Sequence, residues 1–129
     1  MAKILIAEDE LDIRNLITFT LRFAGHEIIA TSNGAEALEK AIEMADQGEF
    51  PELILMDVRM PRMTGYEACK RIKADERLLH IPVAFLSAKG QEAEVKEGFE
   101  VGAVDYIVKP FAPDQLTSKI EELLKSKAA

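Results

Sequence analysis

Four apolar residues, Leu53-Ile54-Leu55-Met56, run without interruption into Asp57. No polar residue alternates with them, so the segment reads as a strand buried on both faces, the pattern of a central strand in a parallel sheet. Such a sheet constrains everything around it. Its strands are joined by right-handed crossovers, and its ligands bind in the crevice beyond the strands' carboxyl ends. Asp57 stands at that end. With 129 residues the chain is long enough for one such domain and too short for two ordinary ones.

The rest of the chain supplies the alternation that a parallel sheet needs. Lys3–Ala7 (KILIA) reads as a first buried strand, broken by Glu8-Asp9-Glu10. Ile13, Leu16, Ile17, Leu21 and Ala24 recur at helical spacing, and Gly25 ends that helix. His26–Thr31 is a second strand, followed by a Ser32-Asn33-Gly34 turn. Ala37, Leu38, Ala41 and Ala45 form the stripe of a second helix, which Gly48 closes. After the Leu53–Met56 strand, Gly65 to Ala74 reads as a third helix with Tyr66, Cys69 and Ile72 inward. Val83–Leu86 is a fourth strand ending at Ser87, and Gln91–Val101 a fourth helix. That helix has the thinnest stripe, Val95 and Phe99, and Gly98 inside it costs roughly 1 kcal/mol relative to Ala. Ala103–Val108 is the fifth strand. Pro113 fits the first turn of a last helix lined by Leu116, Ile120, Leu123 and Leu124, with Ser126 to Ala129 as a fraying end. Five strand–helix units predict a doubly wound α/β domain, a parallel sheet with helices on both faces.

Composition narrows the function. A net charge of −7 argues against a nucleic-acid or anionic-membrane surface. Trp is absent, and the one cysteine, Cys69, rules out an internal disulfide. The apolar start, about five residues, is too short for a signal peptide or a membrane span, so a cytoplasmic protein is expected.

The strand ends bring the chemistry together. The first strand delivers Glu8 and Asp9, the third Asp57, the fourth Ser87, and the fifth is followed by Lys109-Pro110. Singly these residues read as turn formers, caps or surface charges. On one edge, three carboxylates would raise one another's pKa values unless a cation shared the site. Oxygen-only ligands suit Mg²⁺. Cys69 is alone, and His26 and His80 lack metal-ligand spacing; both read as structural or solvent-exposed. Asp57 is then a candidate nucleophile toward phosphorus, with Lys109 and the metal balancing phosphoryl charge and Ser87 donating a hydrogen bond. Arg59, Arg62 and Lys89 flank the pocket as solvated charges or as participants.

The segments ILIAEDE (Ile4–Glu10), LILMDVRMPRMTG (Leu53–Gly65), FLSAK (Phe85–Lys89) and GAVDYIVKPF (Gly102–Phe111), in that order, resemble the receiver domain of two-component response regulators. The resemblance runs from Lys3 to about Lys125, so residues 1–129 are expected to be one stand-alone, chemotaxis-regulator-like receiver domain. It implies a flavodoxin-like, three-layer fold with sheet order 2-1-3-4-5 and five helices. It implies Asp57 as phosphoacceptor, Glu8, Asp9, Asp57 and the Arg59 backbone carbonyl at Mg²⁺ (Mn²⁺ as substitute), and Lys109 on the phosphate. It further implies a cis Lys109–Pro110 bond, with Ser87 and Tyr106 as the switch pair; Ser87 stands where the family often has Thr. The expected function is a phosphorylation switch fed by a histidine kinase or histidine phosphotransfer protein. It also has phosphorylation from small donors and self-dephosphorylation, rather than conventional turnover. The expected output is a protein target on the face of the fourth helix, fifth strand and fifth helix, by a monomer or a phosphorylation-dependent dimer.

Four alternatives stay in view. An excised N-terminal receiver of a longer DNA-binding regulator would read alike. A phosphatase using an aspartyl-phosphate would need a second acid near the nucleophile, commonly two residues on, where Arg59 stands. A flavodoxin-like cofactor binder would need a Gly/Ser/Thr-rich loop where Glu8-Asp9-Glu10 stands, and a purely structural module would have no use for the acidic edge.

Overall fold

The structure, a computed structural model, describes residues 2–88, 102 and 105–128. Its elements are β1 (Lys3–Ala7), α1 (Leu11–Phe23), β2 (Glu27–Thr31), α2 (Gly34–Asp46), β3 (Leu53–Asp57), α3 (Gly65–Lys73), β4 (Val83–Ala88), β5 (Asp105–Lys109) and α4 (Pro113–Ala128). The five strands form one sheet in the order β2-β1-β3-β4-β5, and every pairing is parallel. The flavodoxin-like order 2-1-3-4-5 is therefore present. The expected count of five helices is not: the described residues hold four. The expected Gln91–Val101 helix lies outside the described residues. It was the segment with the thinnest apolar stripe and an internal glycine.

β3 sits at the centre, and Leu53, Ile54, Leu55 and Met56 are all fully buried. Each such side chain contributes roughly 2 kcal/mol on removal from water. Because side chains alternate along a strand, the central sheet feeds two cores. One packs Leu5, Ile54, Met56, Val83 and Phe85 against α2 and α3 through Ala37, Ala41, Cys69 and Ile72. The other packs Ile4, Ile6, Leu53, Leu55, Leu86 and Ile107 against α1 and α4 through Ile17, Leu21, Leu116 and Ile120.

Local signals fix the helix ends. Asn33 Oδ1 accepts from the Glu36 N–H at 2.9 Å, capping α2. Thr64 and Glu67 form a reciprocal capping box at α3, the T-x-x-E pattern that the sequence carries just ahead of Gly65. Gly25 takes φ +99 after α1, a conformation that a side chain would disfavour. α4 continues through Ala128, farther than the expected fraying point at Ser126. Leu16 and Ala24, placed on the inward stripe of α1 by spacing, are exposed. They flank the Ile13-Ile17-Leu21 line, one helical turn per four residues, which is the face that the sheet covers. No helix among the described residues is long and apolar enough to cross a membrane.

Candidate functional site

Three strand ends meet at the carboxyl edge of the sheet. Asp57 is the last residue of β3, buried, and Lys109 is the last of β5. Glu8 follows β1, and its backbone N–H donates to the Thr31 carbonyl at 3.1 Å, continuing the β1–β2 ladder by one step. The carboxylates of Glu8, Asp9 and Asp57 each place an oxygen within 4.8 Å of the other two. Glu8 and Asp57 are buried, and Asp9 is exposed.

Lys109 reaches into this cluster. Its Nζ donates to Asp57 Oδ2 at 2.8 Å and lies 2.9 Å from Glu8 Oε1. One ammonium thus bridges two buried carboxylates that would otherwise repel each other. Burial pushes the Glu8 carboxyl up to about 7, and the Asp57 charge adds to the rise; Lys109 and the Glu10 N–H act against it. Lys109 itself is raised: burial works against its charge, and the hydrogen bonds to Asp57 and Glu8 outweigh that.

The acidic trio suits a hard divalent cation. Every donor is a carboxylate oxygen, and among the described residues no sulfur or imidazole joins the cluster. Such a donor set favours Mg²⁺, which is held by few carboxylates and keeps waters. Glu8, Asp9 and Asp57 would hold it. Arg59, assigned to the site through its backbone carbonyl, is an exposed residue two beyond Asp57.

The backbone around Asp57 is packed tightly. Gly65 opens α3 against the end of β3: its N–H donates to the Val58 carbonyl at 2.9 Å. A Cβ at Gly65 would stand 2.2 Å from the Asp57 carbonyl oxygen, so no side chain fits there. Arg62, in the same loop, takes φ +68, an uncommon conformation for a non-glycine residue. Ser87 is buried one residue from the end of β4, and Tyr106 is half-buried on β5, paired in register with Phe85. The Lys109–Pro110 peptide is cis.

Sequence reasoning missed three participants. Arg14 of α1 donates to the Glu8 carbonyl at 2.9 Å and so pins the loop that carries two carboxylates. Thr31 Oγ1 donates to the Ile6 carbonyl at 2.8 Å beneath it. Tyr66 of α3 packs edge-on against Phe85, 5.1 Å between ring centroids at 82°. The period-3.6 pattern marked Tyr66 as inward, but no local signal names a ring's partner. Cys69 is buried, and burial pushes its thiol up to about 11, which keeps it inert. His80 is exposed; His26 is buried and accepts the Ala2 N–H on Nδ1 at 3.1 Å. Lys89 lies outside the described residues.

Comparison with known proteins places this geometry. The family model for the response regulator receiver domain matches residues 4–121. The chain is 33% identical to the chemotaxis response regulator CheY4 of Vibrio cholerae, covering 95% of this chain and 98% of that one, with a TM-score of 0.85. It is 27% identical to the receiver domain of the sensor histidine kinase PA1611 of Pseudomonas aeruginosa, whose structure holds a magnesium ion in its active-site cleft; 96% of this chain and 98% of that one align, with a TM-score of 0.84. Over 123 residues it is 37% identical to the alkaline phosphatase synthesis transcriptional regulatory protein PhoP of Bacillus subtilis, 95% of this chain and 48% of that protein. The chain spans about half the length of the curated relatives it matches.

Proposed function

The chain belongs to the response regulator receiver domain family, matched over residues 4–121, and from that premise we propose that it is a Mg²⁺-dependent phosphorylation switch with Asp57 as its phosphoacceptor. The observation that carries the reading is the buried Asp57 carboxylate, held by Lys109 and set among Glu8 and Asp9 within 4.8 Å. Residues 1–129 act as one receiver unit in the cytoplasm, and its phosphodonor is a histidine kinase or histidine phosphotransfer protein.

Lys109 fixes Oδ2 of Asp57, so the attacking atom is Oδ1. An Oδ1–P bond forms as the N–P bond of the donor's phosphohistidine breaks, and the leaving imidazole takes a proton from water. Mg²⁺, when bound by Glu8, Asp9, Asp57 and the Arg59 carbonyl, supplies positive charge for the phosphoryl oxygens. Lys109, freed from one carboxylate oxygen, pairs with the new phosphate. Ser87 donates its hydroxyl to a phosphoryl oxygen from β4. Its movement opens space beside Phe85 for Tyr106, and the signal leaves at β5. Phosphorylation adds roughly −1.5 to −2 charges and three acceptor oxygens, enough to bias a two-state loop. Water later hydrolyses the acyl phosphate and returns the carboxylate.

The test is covalent labelling. Acetyl phosphate with Mg²⁺ should add one phosphoryl group to the wild type, as read by intact mass. Asp57→Asn should take none, and a chelator should abolish labelling. Full labelling of Asp57→Asn would overturn the assignment.

One observation favours a second setting for the same switch. The curated relatives include transcriptional regulators about twice as long as this chain, so the unit also suits the N-terminal receiver of a longer DNA-binding protein.

A further inference from the structure

Three rings connect the phosphoacceptor's backbone to the surface at β5. Phe85 of β4 is fully buried, and it lies on the same strand face as Ser87, two residues on. Its ring edge faces the Gly65 position, 3.1 Å from where a Cβ would stand, beside the Asp57 carbonyl. Tyr66 meets Phe85 edge-on at 5.1 Å, and Tyr106 meets it at 5.7 Å with the planes tilted by 44°. Tyr66 and Tyr106 therefore clasp one ring from two elements. The Tyr106 hydroxyl closes the loop by donating to the Tyr66 hydroxyl at 3.5 Å. Tyr66 is buried on a capped helix, whereas Tyr106 is half-buried on an outermost strand. The two ends of this contact are unequal: Tyr66 is the fixed end.

We propose that Tyr66 is a positioning residue for the switch, a latch whose ring and hydroxyl hold Tyr106 inward against Phe85 before any phosphate arrives. This deepens the switch reading and rests on it. In this chain the inward position of Tyr106 is already populated in the unmodified protein, and phosphorylation adds to a bias that Tyr66 has set. A ligand or modification shifts a two-state equilibrium only from where it starts, so Tyr66 sets the basal level of the output. The aromatic contacts favour edge-on geometry, which a leucine at position 66 would not supply.

The chain makes this testable without a partner. Its only tyrosines are Tyr66 and Tyr106, and it has no tryptophan. Nitration by tetranitromethane, read at Tyr106 by peptide mass spectrometry, reports how often that ring leaves its inward position. In unphosphorylated Tyr66→Phe, the Tyr106 nitration rate should rise about twofold, a fraction of the weight of a well-formed hydrogen bond between neutral groups, because the two oxygens stand 3.5 Å apart. Tyr66→Leu, which also loses the ring contact, should raise it further. Acetyl phosphate with Mg²⁺ should restore protection in Tyr66→Phe, with Asp57 labelling at the wild-type level in the same samples. An unchanged rate in Tyr66→Phe overturns the latch. A raised rate that labelling of Asp57 does not slow overturns the claim that latch and phosphate act on one equilibrium. Absence of Asp57 labelling in the wild type would instead defeat the phosphoacceptor reading, a result visible separately from the nitration rates.

Discussion

The two faces of the sheet differ in kind. On the α1/α4 face, Ile4 and Ile6 lead to Glu8, Leu53 and Leu55 lead to Asp57, and Ile107 leads to Lys109. On the α2/α3 face, Val83 and Phe85 lead to Ser87, with Tyr66 and Tyr106 beside them. The period of two along a strand therefore sorts Glu8, Asp57 and Lys109 onto one register and Ser87 and Tyr106 onto the other. The fully buried residues behind the charges are aliphatic, and the rings Tyr66, Phe85 and Tyr106 gather on the opposite side. An aliphatic backing gives the carboxylates a fixed, low-dielectric seat. On the Ser87 side the backing is aromatic, with only Tyr106 of the three rings half-buried. The two registers share the backbone of β3 and β4, which pair at Asp57 and Leu86.

The hardest test of this division is Gly65→Ala, because Gly65 touches both sides. Its new Cβ would lie 2.2 Å from the Asp57 carbonyl oxygen and 3.1 Å from the Phe85 ring. Overpacking of this kind costs about 1–3 kcal/mol. We expect a lower denaturation midpoint together with loss of both Asp57 labelling and Tyr106 protection. Retention of either one would mean that the faces are coupled elsewhere.

Lys109→Gln strikes the charged register alone. It removes the cation that bridges Glu8 and Asp57. Labelling of Asp57 by acetyl phosphate should slow by about a hundredfold, the usual weight of one preorganised stabilising donor, while Tyr106 nitration in the unmodified protein stays at the wild-type rate. Ser87→Ala strikes the other register. Asp57 should still be labelled, and Tyr106 protection should no longer respond to labelling. A Ser87→Ala protein with an unchanged response would remove Ser87 from the switch.

The smallest expected effect tests the scaffold away from both registers. His26 is held below its ordinary pKa, chiefly by burial, and accepts the Ala2 N–H in its neutral form. The unfolded chain therefore binds the proton more readily. Stability from this residue is complete above about pH 6.5 and falls as the pH drops below it, by at most about 1.4 kcal/mol per unit. Glu8, raised to about 7, acts in the opposite sense over the range between the ordinary glutamate pKa and 7. Comparing denaturation midpoints of wild type and His26→Gln across this range isolates the histidine, and parallel curves would contradict its assigned role.

Much of this arrangement was legible in the sequence because its causes are local. Unbroken apolar runs marked the strands, and strand ends ordered Glu8, Asp9, Asp57, Ser87 and Lys109 along one edge before any coordinates. The sheet order came from the family resemblance, since strand pairing is non-local. Errors fell where a pattern met a neighbour that it could not name. Leu16 satisfied helical spacing but lies on the flank of α1 that the sheet leaves exposed. The count of five helices included a fourth, Gln91–Val101, drawn from two apolar residues around a glycine; it lies outside the described residues, which contain four helices. Arg14 reaches back to the Glu8 carbonyl from the first turns of the next helix, Tyr66 meets Phe85 from a different element, and neither contact leaves a periodic trace.

The central claim is that the Asp57 side chain becomes bonded to phosphorus, and borohydride trapping tests it most directly. Protein incubated with acetyl phosphate and Mg²⁺ is treated with borohydride, which reduces an aspartyl phosphate to homoserine, and the peptide containing Leu53–Met60 is sequenced by mass spectrometry. Homoserine at position 57, absent when acetyl phosphate or the metal is withheld, is the predicted result. An unmodified Asp57 in labelled protein, or homoserine at Asp9 or another carboxylate instead, would contradict the account.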